Sequence, residues 1–197
     1  MRILSGNLKG SKILVNNNKI KGSELFVTRP TSDRVKETLF NIIQHGFNID
    51  FTKISFLDCF AGTGAIGLEA ISRGCSIVSF IDKDSAACEC INKNLTNFNV
   101  YGNDKANSFR VLNYDFFDKI LSPNNRFDVV FLDPPYQLMK PSEVFVRLKE
   151  LRVTKINSLI IYESNTELVK TDGFEILKIR KIGKTYLNFL EVFKKHL

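Results

Sequence analysis

Histidine is scarce in this 197-residue sequence, occurring only at His45 and His196, and the four cysteines (Cys59, Cys75, Cys88 and Cys90) form no Cys-x-x-Cys pair. Neither a zinc site nor a disulfide framework is therefore expected, and the cysteines read as reduced core or incidental thiols. The shortage of imidazole also removes most histidine-based catalysis, so an acid or base here should be a carboxylate. No stretch approaches the roughly 18 consecutive apolar residues of a membrane helix, and the opening MRILSGNLKG lacks the apolar core of a secretory leader. Internal repeats and low-complexity segments are also missing. Together these absences predict a soluble, cytoplasmic protein with no metal and no membrane partner.

What is present begins with charge. The formal net charge is +7, and residues 1–36 hold eight basic side chains against Glu24 and Asp33, a net +6. A basic amino-terminal arm beside a nearly neutral body suggests a polyanionic partner, set against the plainer alternative of a solvated Lys- and Asn-rich surface. At roughly 150 residues per domain, the length suits one domain plus an extension.

Short extended pieces near 2–5, 11–15 and 25–28, separated by Gly10, the Asn16–Asn18 run and Gly22, predict a small β-ribbon over 1–30. In TRPTSDRVKETLFNIIQHG, Thr31 or Ser32 can cap a helix, Val35, Leu39, Ile42 and Ile43 share one face, and Gly46 can stop it. From residue 54 onward strands alternate with helices: strands near 54–58, 76–81, 109–114, 127–132 and 158–163, helices near 65–73, 84–97, 115–121 and 141–151. Two further β-runs around Gly183 are too close for a parallel crossover and predict a hairpin. The expected fold is α/β, a doubly wound, mostly parallel seven-stranded sheet over 31–197 with the ribbon appended.

Asp58, Asp82, Asp115 and Asp133 each fall at or just past the carboxyl end of a predicted strand, where open α/β sheets bind ligands. One such acid would mean little, because helix starts favour Asp. The loop DCFAGTGAIG, residues 58–67, lies among them, with Gly62, Gly64 and Gly67 in GxGxxG spacing and Asp82 about 20 residues on. A nicotinamide dinucleotide site is one possibility. An acid at Asp58 would face a pyrophosphate unfavourably, however, and would suit an ammonium group. S-adenosylmethionine has an ammonium, a ribose diol and an adenine for Asp58, Asp82 and Asp115 in turn. In this assignment Phe116 supplies an apolar wall, and Phe60, Ala61, Gly62 and Gly64 bring loop backbone to the methionine end.

DVVFLDPPY, residues 128–136, is an apolar strand that must stop near Asp133, because Pro134 and Pro135 cannot donate ladder hydrogen bonds. Asp133 and the Pro134 carbonyl can accept the two hydrogens of a planar NH₂ group, and Tyr136 can stack on the ring that bears it. The plainer reading of each acid is a cap or a turn.

The stretches MRILSGNLKGSKI, TRPTSDRVKETLFNII, LDCFAGTGAIGLEAISRG, FLDPPY and IIYESN resemble the bacterial 16S rRNA guanine-N2 methyltransferases, the RsmD family, over nearly the full chain. The resemblance implies a Rossmann-like methyltransferase fold and methyl transfer from S-adenosylmethionine, without metal, to one guanine N2 of 16S rRNA. The implied partner is the 30S subunit or its assembly intermediate, approached by a monomer. It also places Arg29, Thr31 and Arg34 near the substrate entrance, where arginines can clamp phosphates beside the arm residues Arg2, Lys9 and Lys12. DNA adenine-N6 methylation and a non-catalytic assembly factor are the alternatives.

Overall fold

The computed structural model describes residues 1–15, 32–100, 107–118, 126–135 and 139–192. Helix α1 (Asp33–Asn41) is capped by Ser32, whose hydroxyl accepts from Val35 N. It continues as a π-helical turn over Ile42–Gly46. Val35, Leu39 and Ile43 face the core, as the periodicity predicts, while Ile42 is half-buried and Phe40, outside the predicted face, is fully buried.

Strand β1 (Ser55–Cys59) then leads through the glycine loop into α2 (Ala65–Ser72), and β2 (Ile77–Asp82) into α3 (Ser85–Asn97). After these come β3 (Ser108–Asn113), β4 (Phe127–Leu132), α4 (Pro141–Leu151) and β5 (Thr154–Ser164), then a closing hairpin of β6 (Phe174–Ile182) and β7 (Thr185–Val192). The seven strands form one sheet in the order β3-β2-β1-β4-β5-β7-β6, with β7 antiparallel to both of its neighbours. The fold is thus the expected doubly wound, mostly parallel α/β sheet. Its two faces bury separate clusters, one under α1 and α2 around Phe40, Phe56 and Phe80, the other under α4 around Phe145 and Tyr162. The strand order reverses between β1 and β4, so the ligand crevice of such a sheet falls above those two strands.

Two expected elements differ. The helix placed at 115–121 is a turn over its described part, because the Asp115 carboxylate accepts from Phe117 N at 3.0 Å and closes an Asx turn in place of a helical one. Strand β5 starts earlier than expected, at Thr154, through an irregularity in its pairing with β4 where Asn157 takes φ 66° and Ser158 Oγ bonds Phe127 O at 2.6 Å.

Residues 2–5 and 11–15 form the expected ribbon, tied by an antiparallel bridge between Arg2 and Lys12; the piece at 25–28 lies outside the described residues. The ribbon does not stand away from the domain. Ile3 and Ile13 are 1% and 3% exposed and belong to the cluster under α1 and α2. Three buried polar side chains hold its backbone: Glu69 accepts from Leu4 N and Ser5 N at 2.8 and 2.9 Å, Ser72 Oγ accepts from Leu8 N, and Asn94 bonds both N and O of Leu14. Gly6 packs so closely on the end of α2 that a Cβ there would lie 1.7 Å from Ser72 O.

Candidate active site at the carboxyl edge of the sheet

Strand β1 runs fully buried to Cys59, and Phe60 then turns the chain out of the sheet at φ 60°. A left-handed backbone is costly for an aromatic residue and marks the start of a loop built for a purpose. Gly62 and Gly64 continue at φ 53° and 73°, where glycine carries no Cβ penalty. A Cβ on Gly64 would press the Ile91 side chain at 2.8 Å, and one on Gly67 would enter the Phe80 ring at 2.2 Å. The loop therefore needs glycine twice for close approach: Gly64 lets it sit on α3, and Gly67 lets α2 lie against β2.

Two carboxylates hold this loop. Asp58 is 1% exposed, and its Oδ2 accepts from Gly67 N at 2.9 Å, pinning the first turn of α2 to β1. Asp82, at the end of β2, accepts from Gly62 N at 2.7 Å through one oxygen and from Asp84 N at 2.9 Å through the other. Each oxygen keeps further acceptor capacity for a ligand hydroxyl. The parallel register β2-β1-β4 pairs Ile81 with Cys59 and Cys59 with Leu132. One residue further on, Asp82, Phe60 and Asp133 share a row, so the outer two stand about two strand spacings apart, roughly 10 Å.

These acids feel one another. Burial raises the Asp58 carboxyl well above its ordinary value; the Gly67 amide opposes this, and nearby Asp133 and Asp82 push it further up. Burial likewise raises Asp82 against the bonds from Asp84 and Gly62. Three carboxyl groups converging at the ends of three adjacent strands are a setting for a cationic ligand, whose charge would offset the cost of ionising them.

Beyond Leu132, Asp133 is half-buried and its amide points to Cys59 O at 3.5 Å, while Pro134 is buried. Tyr162, beside Leu132 on β5, is enclosed against Phe145, and burial together with Asp133 raises its phenol to about 12. On the other flank Asp115 is exposed at the Asx turn. Phe116 is 2% exposed, its ring enclosed by Phe60 and Phe117 at 4.9 and 5.4 Å. The Phe116 ring, expected as an apolar wall, packs against Phe60.

The crevice thus brings together Asp58, Phe60, Ala61, Gly62, Gly64, Asp82, Asp133 and Pro134, with Asp115 at its rim. Tyr136, Arg29 and Thr31 lie outside the described residues. The basic residues separate. Arg34 is exposed in the first turn of α1, and Arg2 is paired with Asp33 at 3.5 Å. Lys9 sits in the turn packed on Ser72, at the far end of α2 from the glycine loop.

Sequence reasoning missed two supports. Arg147 of α4, 7% exposed, donates from Nε to Phe116 O at 2.9 Å and also bonds Asp118 O, clamping the turn after β3. Asn113 donates to Asp82 O and Lys83 O, tying the exits of β3 and β2 together. Both looked like ordinary surface residues; Asn113's position at a proposed strand end could have drawn attention to it, whereas nothing in the sequence marks Arg147 within its helix.

A family profile described as "Conserved hypothetical protein 95" matches residues 1–191. Ribosomal RNA small subunit methyltransferase D of Haemophilus influenzae is 33% identical over 187 residues, covering 93% of this chain and 89% of the relative. The protein of the same name from Escherichia coli is 32% identical over 167 residues, covering 85% and 76%. A solved structure of a candidate methyltransferase from Escherichia coli superposes with a TM-score of 0.75 at 29% identity, covering 98% of this chain and 97% of that one. With sequence and fold matched over nearly the whole length, this chain belongs to the ribosomal RNA small subunit methyltransferase D family, the family of Conserved hypothetical protein 95.

Proposed function

We propose that this protein transfers a methyl group from S-adenosylmethionine to the exocyclic N2 of a guanine in 16S rRNA, presented by the 30S subunit or an assembly intermediate. The observation that carries this reading is the meeting of three carboxylates, Asp58, Asp82 and Asp133, with a left-handed glycine loop at the switch point of the sheet. The residues present fit the cofactor: Gly62 and Gly64 take left-handed turns that keep the loop free of side chains at those positions, and Asp82 retains acceptor capacity for a ribose diol. The exposed Asp115 can accept from an adenine amine. The buried Asp58 serves chiefly to hold the loop, its Oδ2 accepting from Gly67 N.

When bound, S-adenosylmethionine supplies an electrophilic methyl on a sulfonium centre. An aryl amine is a weak nucleophile because its lone pair is delocalised into the ring. Asp133 and the Pro134 carbonyl, both just beyond the end of β4, can accept its two N–H groups and so favour a pyramidal nitrogen aimed at the methyl. Pro134 has no N–H, so nothing at that position competes for the amine. Tyr136 would stack on the base. Arg2, Lys12 and Arg34, together with Arg29 and Thr31, would meet phosphate.

The relatives' names support rRNA as the substrate class; the guanine N2 rests on the amine geometry and the sequence resemblance. Labelled-methyl transfer to 30S particles, naked 16S rRNA and DNA, followed by nucleoside mass analysis, tests both. N2-methylguanosine from 30S particles is the expected product. Dominant N6-methyladenosine from DNA, or binding of 30S without turnover, would refute the proposal.

A further inference from the structure

We infer that the tip of the β6–β7 hairpin is a second RNA phosphate contact, gripping the substrate on the opposite flank of the crevice from the amino-terminal ribbon. This rests on the RNA-methyltransferase reading above and extends it to a surface remote from the glycine loop. In the register of the sheet, Leu132, Tyr162, Asn188 and Ile179 form one row across β4, β5, β7 and β6. The next row starts at Asp133 and ends at Arg180, and the one beyond ends at Lys181. The turn at Gly183–Lys184 therefore lies at the same edge of the sheet as the acids of the crevice. Arg180 stands three strand spacings from Asp133, roughly 14 Å. The backbone flanking an extruded nucleotide spans such a distance.

Charge along the hairpin is graded. Its open end sets Glu175 directly opposite Glu191, whereas the tip carries Arg180, Lys181 and Lys184, all exposed. The anion near the tip is Glu167, facing Lys181. Lys181 is held in place with its ammonium 5.1 Å from the centre of the Tyr186 ring. Lysines on an edge strand also guard against strand addition, but that duty does not account for Lys184 in the turn, beyond the strand, or for a strand that begins at Glu175 and grows more basic towards the crevice. Lys178, midway, lies close to Gly46 at the end of the π-helical turn and is placed to meet the helix terminus. The ribbon packs on α2 and α3, over the β1-β2-β3 half of the sheet, so the hairpin tip lies on the opposite half from it.

The test compares wild type with the triple variant Arg180→Gln, Lys181→Gln, Lys184→Gln and with a control at the other end of the sheet, Lys53→Gln. All three proteins are first checked for equal melting temperature. Binding to 30S particles and to single-stranded 16S rRNA fragments is then measured from 50 to 200 mM salt, with turnover at saturating substrate. Three lost contacts should flatten the log–log salt slope by about 2, so that over this range wild type loses about 18-fold more affinity than the triple variant. KM should rise with kcat unchanged. A triple-variant slope equal to wild type, or an equal flattening in Lys53→Gln, overturns the inference while leaving a methylating wild type intact. A wild type that neither binds nor methylates rRNA overturns both this inference and the reading beneath it.

Discussion

Removing the Glu69 carboxylate should cost more stability than any change on the open surface, because four donors converge on it with no water to replace it. Glu69 is fully buried on α2 and accepts from Leu4 N at 2.8 Å, Ser5 N at 2.9 Å and Arg73 Nε at 3.1 Å, while Lys36 Nζ lies 3.4 Å away and is itself fully buried. Burial pulls the Lys36 ammonium below its usual range and Glu69 pulls it back up, so the charge on Lys36 depends on its partner. Orphaning one member of a buried pair costs about 3–5 kcal/mol. Each of the two amides left unpaired would add about 1–3 kcal/mol if it stayed buried. Detachment of residues 1–8 rehydrates those amides at the expense of Ile3 burial, so Glu69→Ala should lose about 4 kcal/mol in total. At about 2–4 °C per kcal/mol for a chain of this size, the melting temperature should fall by roughly 8–16 °C. Circular dichroism melts and urea titration measure this, and limited proteolysis should show early cleavage within residues 1–15. Lys36→Met combined with Glu69→Leu should recover the part of the loss that comes from stranding the Lys36 ammonium, while Arg73 and the Leu4 and Ser5 amides still lack their acceptor. A Glu69→Ala protein melting within two degrees of wild type would refute this account.

Three further outcomes follow from the crevice. Asp133→Ala should cut turnover by about 10²–10³ while sparing most cofactor affinity, whereas Asp82→Ala should weaken cofactor binding by about 1.5–3 kcal/mol; equal turnover in the Asp133 variant would remove the amine-holding role. The Asp58 carboxyl, raised by burial, keeps a proton in the folded state that the unfolded chain releases above about 3.8, so its contribution to stability falls as pH rises through the window above that value. Asp58→Asn, whose amide oxygen can still accept from Gly67, should flatten that fall and melt higher at neutral pH; an unchanged stability–pH curve speaks against it. Gly67→Ala should destabilise by about 1–3 kcal/mol through collision with Phe80, and Phe80→Leu in the same chain should relieve part of this in a chemical denaturation series.

Much of the crevice was legible because local chemistry dictates it. Val129 to Leu132 can only be a strand covered on both faces, Pro134 and Pro135 can only end it, and GTGAIG can only be a tight turn into a helix. These inferences depend on neighbours in the chain. Glu69 was not legible: in GAIGLEAISRG it occupies an ordinary helical position, and its burial depends on amides 64 and 65 residues earlier. Arg147 escaped for the same reason, since its partners Phe116 and Asp118 reach it only through the packing of α4. The packing of Phe116 on Phe60 was not legible, because sequence does not show that Phe60 adopts a left-handed backbone.

The charge count does not show which bases are free. Of the eight in the first 36 residues, expected as an arm for a polyanion, Lys36 is sealed against Glu69 and Arg2 is paired with Asp33. Lys9 lies at the far end of α2 from the glycine loop. The ribbon is therefore first a structural clamp: through Glu69 and Ser72 it braces α2, the helix whose first turn presents the glycine loop, and through Asn94 it braces α3 behind Asp82. Deleting it would strip Ile3 and Ile13 from the core and strand Glu69, so lost RNA binding in a truncated protein would report unfolding as readily as lost contacts. Charge neutralisation at exposed positions leaves those buried bonds in place. That difference makes the hairpin tip, whose three cations bury nothing, the cleaner place to measure how this fold holds a polyanion beside its carboxylates.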